Sequence, residues 1–169
     1  MNRDSISLSV SFILLVLLQI LVCSKMELFG FINPMIYLLF LVIYPFKTNQ
    51  TLFIIVGFLI GFSIDFFSLS GGAHTIATLT VSFLRPMLIR NAFGVTAEIP
   101  PHFQNDNRTI NKYFFLTLLL GVHHLLYFSF VFFSWSAKYL ILKYSLFTFL
   151  FSLLLISLTS RFYKKLNDS

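Results

Sequence analysis

The side chains able to do chemistry in this chain sit inside apolar sequence: Asp65, His74, Arg85, His123 and His124. Asp65 comes with a pattern. Gly57, Gly61 and Asp65 recur every fourth residue, so a helix puts them on one stripe. Two small residues allow a neighbouring helix to come close, and the carboxylate can then hydrogen-bond across the contact. A carboxylate in hydrocarbon is costly and needs a partner or a task. Just after it come a Ser/Gly turn, Ser68-Leu69-Ser70-Gly71-Gly72, and His74. Three uses are open to this stretch: an internal packing seam with its polar pair satisfied, a ligand or proton site, and a contact with another membrane protein. The seam is the simplest.

Depth limits the pairings. On helices rising 1.5 Å per residue, Asp65 lies ~21 Å along its helix, and His123 and His124 lie ~15–17 Å along theirs. Arg85, on a descending helix, lies ~18 Å below the outer edge. Asp65 is therefore expected to pair with His74, His123 or His124 rather than with Arg85. His123 and His124 are adjacent and point about 100° apart on a helix, so a two-His metal site is not expected and one of them should face the bundle interior. Arg85, next to Pro86, reads as an arginine snorkelling to the cytoplasmic headgroups, with a partner contact as the alternative. No Ser-His-Asp context, phosphate loop or paired carboxylates are recognisable, so neither an enzyme nor a metal or cofactor is expected.

The elements that must position these residues follow from composition. Of 169 residues, 57% are hydrophobic and 11% charged, with a mean hydropathy of +0.87. Soluble domains carry roughly 25% charged residues. The chain reads as an integral membrane protein, all-α and polytopic. The net charge of +6 comes from basic residues flanking apolar runs, which argues for orientation in lipid and against nucleic acid. The single cysteine, Cys23, excludes an intrachain disulfide and reads as a packing residue.

Six helices are expected: Ile6–Cys23, Phe31–Phe46, Thr51–Leu69, Ala73–Ile89, Tyr113–Phe133 and Lys138–Thr159. The first is longer than a signal-peptide core and lacks an Ala-x-Ala-like site, so it reads as a retained span. Pro34 falls in the first turn of the second helix, where a missing N–H is tolerated, and Pro86 should kink the fourth. The stretch 90–112 is the long polar loop, partly laid on the membrane through Ala92, Phe93 and Val95, and 161–169 is a short basic tail. Trp135 is placed as an interfacial anchor. The whole, 1–169, is one compact transmembrane domain. Arg3, Lys47, Arg90, Arg108, Lys112, Arg161, Lys164 and Lys165 lie on one side, against Lys25 and Lys138 on the other. That bias puts both termini in the cytoplasm and Asp65, Gly71, Gly72 and His74 towards the outer face.

With its glycine-bearing third helix, then Asp65, the Gly71-Gly72 turn and His74-Thr75 opening the next helix, the chain resembles the MreD family of the bacterial rod-shape (elongasome) system. Length, helix number and the polar loop after the fourth helix are similar too. The motif covers Gly57 to about Arg90. The resemblance implies a non-enzymatic scaffold of the bacterial inner membrane. It would bind an MreC-like protein and help couple MreB filaments to the peptidoglycan synthase and transpeptidase, in a fold similar to the S-components of energy-coupling-factor transporters. On that reading Gly57, Gly61 and Asp65 hold helices 3 to 5, and an outer cavity rimmed by Asp65, Gly71, Gly72 and His74 receives a segment of the partner. The alternative is an S-component-like subunit that binds a small molecule such as a vitamin. Against it stand a short 71–74 turn and the expectation that the interior lacks a cluster of polar groups.

Overall fold

Apolar runs in lipid leave the backbone no water to bond, so they close their hydrogen bonds within helices. The computed structural model describes residues 3–26, 28–94, 101, 103 and 108–167. Its elements are α1 (Arg3–Leu21), a 3-10 turn (Cys23–Lys25), α2 (Leu38–Ile43), α3 (Gln50–Ser68), α4 (Ala73–Phe93), α5 (Thr109–Phe132), a second 3-10 turn (Trp135–Ala137) and α6 (Lys138–Asn167). Among the described residues there is no strand, only an isolated bridge between Leu28 and Ile32. Four stretches are long and apolar enough to cross a membrane: Ile6–Lys25, Gln50–Ser68, Thr109–Phe132 and Trp135–Ser160. Their outer faces carry exposed Leu, Ile and Phe, among them Leu14, Phe66 and Leu154. Such a surface is compatible with a membrane protein.

α3 packs on α4, α4 on α5 and α5 on α6, while α1 leans on α3. α2 sits in the middle, touching α1 and α6, with every residue from Leu38 to Ile43 buried. It differs from the expected span Phe31–Phe46. Only six residues are helical, about 9 Å of rise. Two prolines bracket it. Pro34 has no N–H to give, and Tyr44, the residue before Pro45, is driven to an extended ψ of 138°.

The buried chain ahead of α2 is partnered by side chains from outside it. Gln19 of α1 accepts from the Ile36 N–H at 2.9 Å and donates to the Pro34 carbonyl at 3.2 Å. Ser152 of α6 accepts from the Met35 N–H at 2.9 Å. At the other end Arg85 donates to the Tyr44 carbonyl at 2.5 Å and the Pro45 carbonyl at 3.0 Å. Its guanidinium carbon lies 4.2 Å and 5.1 Å from the Phe53 and Phe46 ring centroids. Arg85 is 2% exposed, so it does not snorkel; it caps a short helix inside the bundle.

Other boundaries shift for local reasons. α4 runs on to Phe93 through Pro86. The carbonyl of Ser82, which the missing Pro86 N–H would have bonded, accepts instead from Gln50 Nε2 at 2.8 Å. α5 starts at Thr109, and Asn111 donates to the Ala92 carbonyl at 2.7 Å, so the polar connection is shorter than 90–112. Ala92 and Phe93 are buried rather than laid on a membrane surface. Val95, Glu98, Pro100, His102, Gln104, Asn105 and Asp106 lie outside the described residues, whereas Pro101 accepts from the Phe46 N–H at 2.8 Å. α6 continues to Asn167, so most of the expected tail is helix.

Gln19→Met, close in size, strips partners from the Ile36 N–H and the Pro34 carbonyl. Two buried backbone groups left open should cost about 2–4 kcal/mol. The expected result is a clear drop in the thermal transition of the detergent-solubilised protein.

Candidate functional site

The stripe expected on helix 3 is closed against α4. A Cβ built at Gly57 would collide with the Ser82 hydroxyl and come within 2.9 Å of its Cβ. One at Gly61 would collide with the Thr78 hydroxyl and lie 2.6 Å from Thr75 Cα and 2.8 Å from the His74 carbonyl. The two glycines thus set how closely α3 and α4 approach. The seam joins α3 to α4; α5 packs on α4.

Asp65 completes the seam at the turn. α3 ends with Leu69 in the left-handed region, and Gly71 and Gly72 have φ of +67° and +90°. Glycine is favoured there by backbone conformation, since nothing stands within 4 Å of a Cβ at either position. Gly72 is also the N-cap of α4, and it has no side chain to satisfy the first N–H groups. Asp65 does so from the neighbouring helix. One carboxylate oxygen accepts from the His74 N–H at 3.1 Å and the Ser70 hydroxyl at 2.5 Å. The other accepts from the Thr75 N–H at 2.7 Å and the Thr75 hydroxyl at 2.5 Å. These N–H groups are the second and third of the helix, the ones a capping side chain normally takes. The negative charge also meets the positive end of the α4 dipole.

The expected pairing of Asp65 with a histidine ring is therefore corrected. Asp65 bonds the backbone of His74 and neither His123 nor His124. The imidazole of His74 turns the other way, into the bundle, where Nδ1 lies 2.9 Å from the Tyr37 hydroxyl. The same hydroxyl is 2.9 Å from His123 Nε2. One phenolic proton serves two imidazoles, so Tyr37 donates to one and accepts from the other. His123 Nδ1 is buried with no hydrogen-bond partner among the described residues.

His124 belongs to a separate chain. Its Nδ1 donates to the Leu120 carbonyl at 2.7 Å, which leaves Nε2 to accept from the Ser152 hydroxyl at 3.1 Å. Ser152 in turn accepts from the Met35 N–H. The two histidines diverge as adjacency requires, but both are fully buried, one towards Tyr37 and one towards α6. The sequence reading placed one of them in the bundle interior; both are there, because α6 covers the second.

A cavity of about 330 Å³ opens beside this cluster, at the end of the bundle that carries the α3–α4 turn. His74 and Ser70 line it; Asp65, Gly71 and Gly72 do not. The expected rim is corrected on those three positions: the carboxylate is turned under α4, and the glycines form the turn. The rest of the lining is richer in polar groups than expected, with Gln19, Ser24, Asn33, Ser68, Tyr127 and Tyr144. Sequence reading missed Tyr37, Gln19 and Ser152. Gln19 carried a usable signal, an amide in the middle of an apolar helix; Tyr37 and Ser152 are residue types too common in membrane helices to stand out. No family model, curated protein or solved structure matches the chain.

Two substitutions separate the parts of the seam. Gly61→Ala meets backbone and must push α3 from α4, whereas Gly57→Ala meets a serine side chain. Gly61→Ala should lower the melting transition by several degrees more than Gly57→Ala, and Ser82→Ala should recover part of the loss at Gly57 only. At the cap, Asp65→Ala strands two N–H groups and two hydroxyls, while Asp65→Asn keeps one acceptor oxygen. A loss of about 2–4 kcal/mol is expected for alanine and a smaller one for asparagine, read from melts of both variants.

Proposed function

We propose that the chain is a non-catalytic scaffold subunit of a bacterial rod-shape complex, of the kind the MreD resemblance implies. It would lie in the inner membrane with both termini cytoplasmic. The four long apolar helices would cross with α4 and the central α2 segment, giving six passages. Its partners would be an MreC-like protein and, through it, MreB filaments and the peptidoglycan synthase and transpeptidase.

The observation that carries this reading is the use of Asp65. The one carboxylate of the Gly57–His74 motif accepts four hydrogen bonds that build the α3–α4 joint. Both its oxygens are engaged, so it serves the shape of the bundle rather than acid–base work. The connection between α3 and α4 is only a few residues long, which directs partner contacts into the bilayer. One helical step round from the glycine stripe, Phe58, Phe62 and Phe66 form an exposed aromatic ladder, with centroids 5.7 Å and 6.3 Å apart. That ladder is the proposed face for a partner's transmembrane helix.

The S-component-like alternative has one observation in its favour, the polar cavity beside His74. It would require transport of a solute with an energising module, which the scaffold does not.

Co-expression with an MreC-like protein and purification in mild detergent should give a joint elution. Phe62→Leu with Phe66→Leu keeps the face apolar and should reduce the partner recovered by about tenfold, equivalent to ~1.4 kcal/mol, with an unchanged melt. A wild-type chain that elutes alone removes the scaffold reading. Full recovery by the double variant moves the contact off α3.

A further inference from the structure

The cavity beside His74 is more than a gap between helices. Many buried polar side chains elsewhere in the bundle hold backbone, although Ser82 Oγ and Thr148 Oγ1 make no hydrogen bond among the described residues; several at this wall are open to a ligand. His74 uses Nδ1 on Tyr37, and its Nε2 has no protein partner among the described residues. The Tyr127 and Tyr144 hydroxyls likewise make no hydrogen bond with any described residue. The amide nitrogen of Asn33, also at the wall, is engaged, donating to the Met26 and Ile32 carbonyls. Donors and acceptors are thus mixed: two phenols and an imidazole nitrogen.

Charge is the second observation. Among the described residues, no Lys, Arg, Asp or Glu lines the cavity. Lys143, near its wall, places its ammonium over the Phe31 ring, 4.9 Å from the centroid, and is not part of the lining. An ionic ligand would find no counter-charge among the described lining residues and would lose its hydration uncompensated. Flat apolar surface is the third. Phe31 and Phe128 line the cavity, and the Tyr127 ring is fixed against His74 with centroids 4.4 Å apart. Size is the fourth. About 330 Å³ equals roughly eleven waters at about 30 Å³ each, near the small end of ligand sites. It accommodates one ring with its substituents.

We propose that this cavity is a binding site for a single neutral sugar ring, held by hydrogen bonds to His74, Tyr127 and Tyr144 and by ring faces of the aromatic wall. A pyranose has alternating hydroxyl donors and acceptors round its edge and an apolar C–H face, which is the complement of this lining. An amide substituent, as on an N-acetylated amino sugar, would suit the mixed donors and acceptors further. The inference concerns the occupant of the cavity and stands apart from the partner contact on α3.

The test uses the full chain, purified alone in detergent or nanodiscs, with N-acetylglucosamine and glucose as probes. Glucosamine serves as the cationic control and cyclohexanol as the apolar one. Binding is read by equilibrium dialysis of labelled sugar and by the dose-dependent rise of the melting transition. Saturable binding of the neutral sugars, and little of either control, is expected. Tyr144→Phe and Tyr127→Phe keep the wall and remove one hydroxyl each, so each should weaken binding by about 3–10-fold. Val131→Trp, on the rim, should abolish it by filling the space. If Val131→Trp melts early, the two phenylalanine variants decide alone. No saturable binding of either sugar overturns the proposal. So does equal binding of glucosamine or cyclohexanol, unaltered affinity in both phenylalanine variants, or a partner peptide found seated in the cavity.

Discussion

A backbone N–H or carbonyl inside hydrocarbon has no water to fall back on, and leaving one open costs several kcal/mol. This bundle contains an interruption wherever glycine or proline breaks the helical ladder, and each interruption is met by a polar side chain from another element. Gly72 gives α4 no cap, and Asp65 of α3 supplies it. Pro86 orphans the Ser82 carbonyl, and Gln50 of α3 donates to it. Pro34 opens the chain before α2, and Gln19 and Ser152 close it from opposite sides. Pro45 stops α2, and Arg85 donates to the carbonyls of Tyr44 and Pro45 just past its end. Buried polarity and broken helix are the same feature seen from two sides.

This matching also fixes the packing. Each repair reaches across an interface, so it works only if the two elements stay in register. The carboxylate of Asp65 reaches the α4 N-terminus because Gly57 and Gly61 let the two helices come together just below it. Arg85 reaches the end of α2 because Phe46 and Phe53 hold its guanidinium between them. The apolar contacts set the distances, and the polar bonds then penalise any slip. A central segment without regular structure over most of its length can therefore be as buried as the helices round it.

Much of this was legible in the chain. The all-helical membrane class, the ends of α3 to within a residue, and the glycine stripe as a close seam follow from composition, hydropathy and spacing. The role of Asp65 was half legible: its need for partners was plain, but the partner was read as an imidazole because a charge suggests an ionisable mate. Helix N–H groups carry no letter in the sequence. For the same reason Arg85 was read as reaching for lipid, when two backbone carbonyls held it inside. The second helix was misjudged because hydropathy measures burial, and a buried irregular segment is as apolar as a buried helix. The two prolines that bracket α2 were visible, but only the partners on α1, α4 and α6 make an open backbone tolerable there, and those come from residues far away in the chain.

Once the repairs are accounted for, what remains is informative. Asp65, Gln19, Gln50, Arg85, His124 and Ser152 each have an identifiable structural task, so their expense in hydrocarbon is explained by the fold. His123 and Tyr37 go only as far as His74, and the chain of hydrogen bonds stops where His74 meets the cavity. No backbone defect at that point calls for an imidazole, for Tyr127 or for Tyr144. Polar groups kept in an apolar bundle without a structural duty are the ones to associate with something outside the chain. In this protein His74, Tyr127 and Tyr144 share one wall, at the end of the bundle where the α3–α4 turn is tied down by the Asp65 carboxylate.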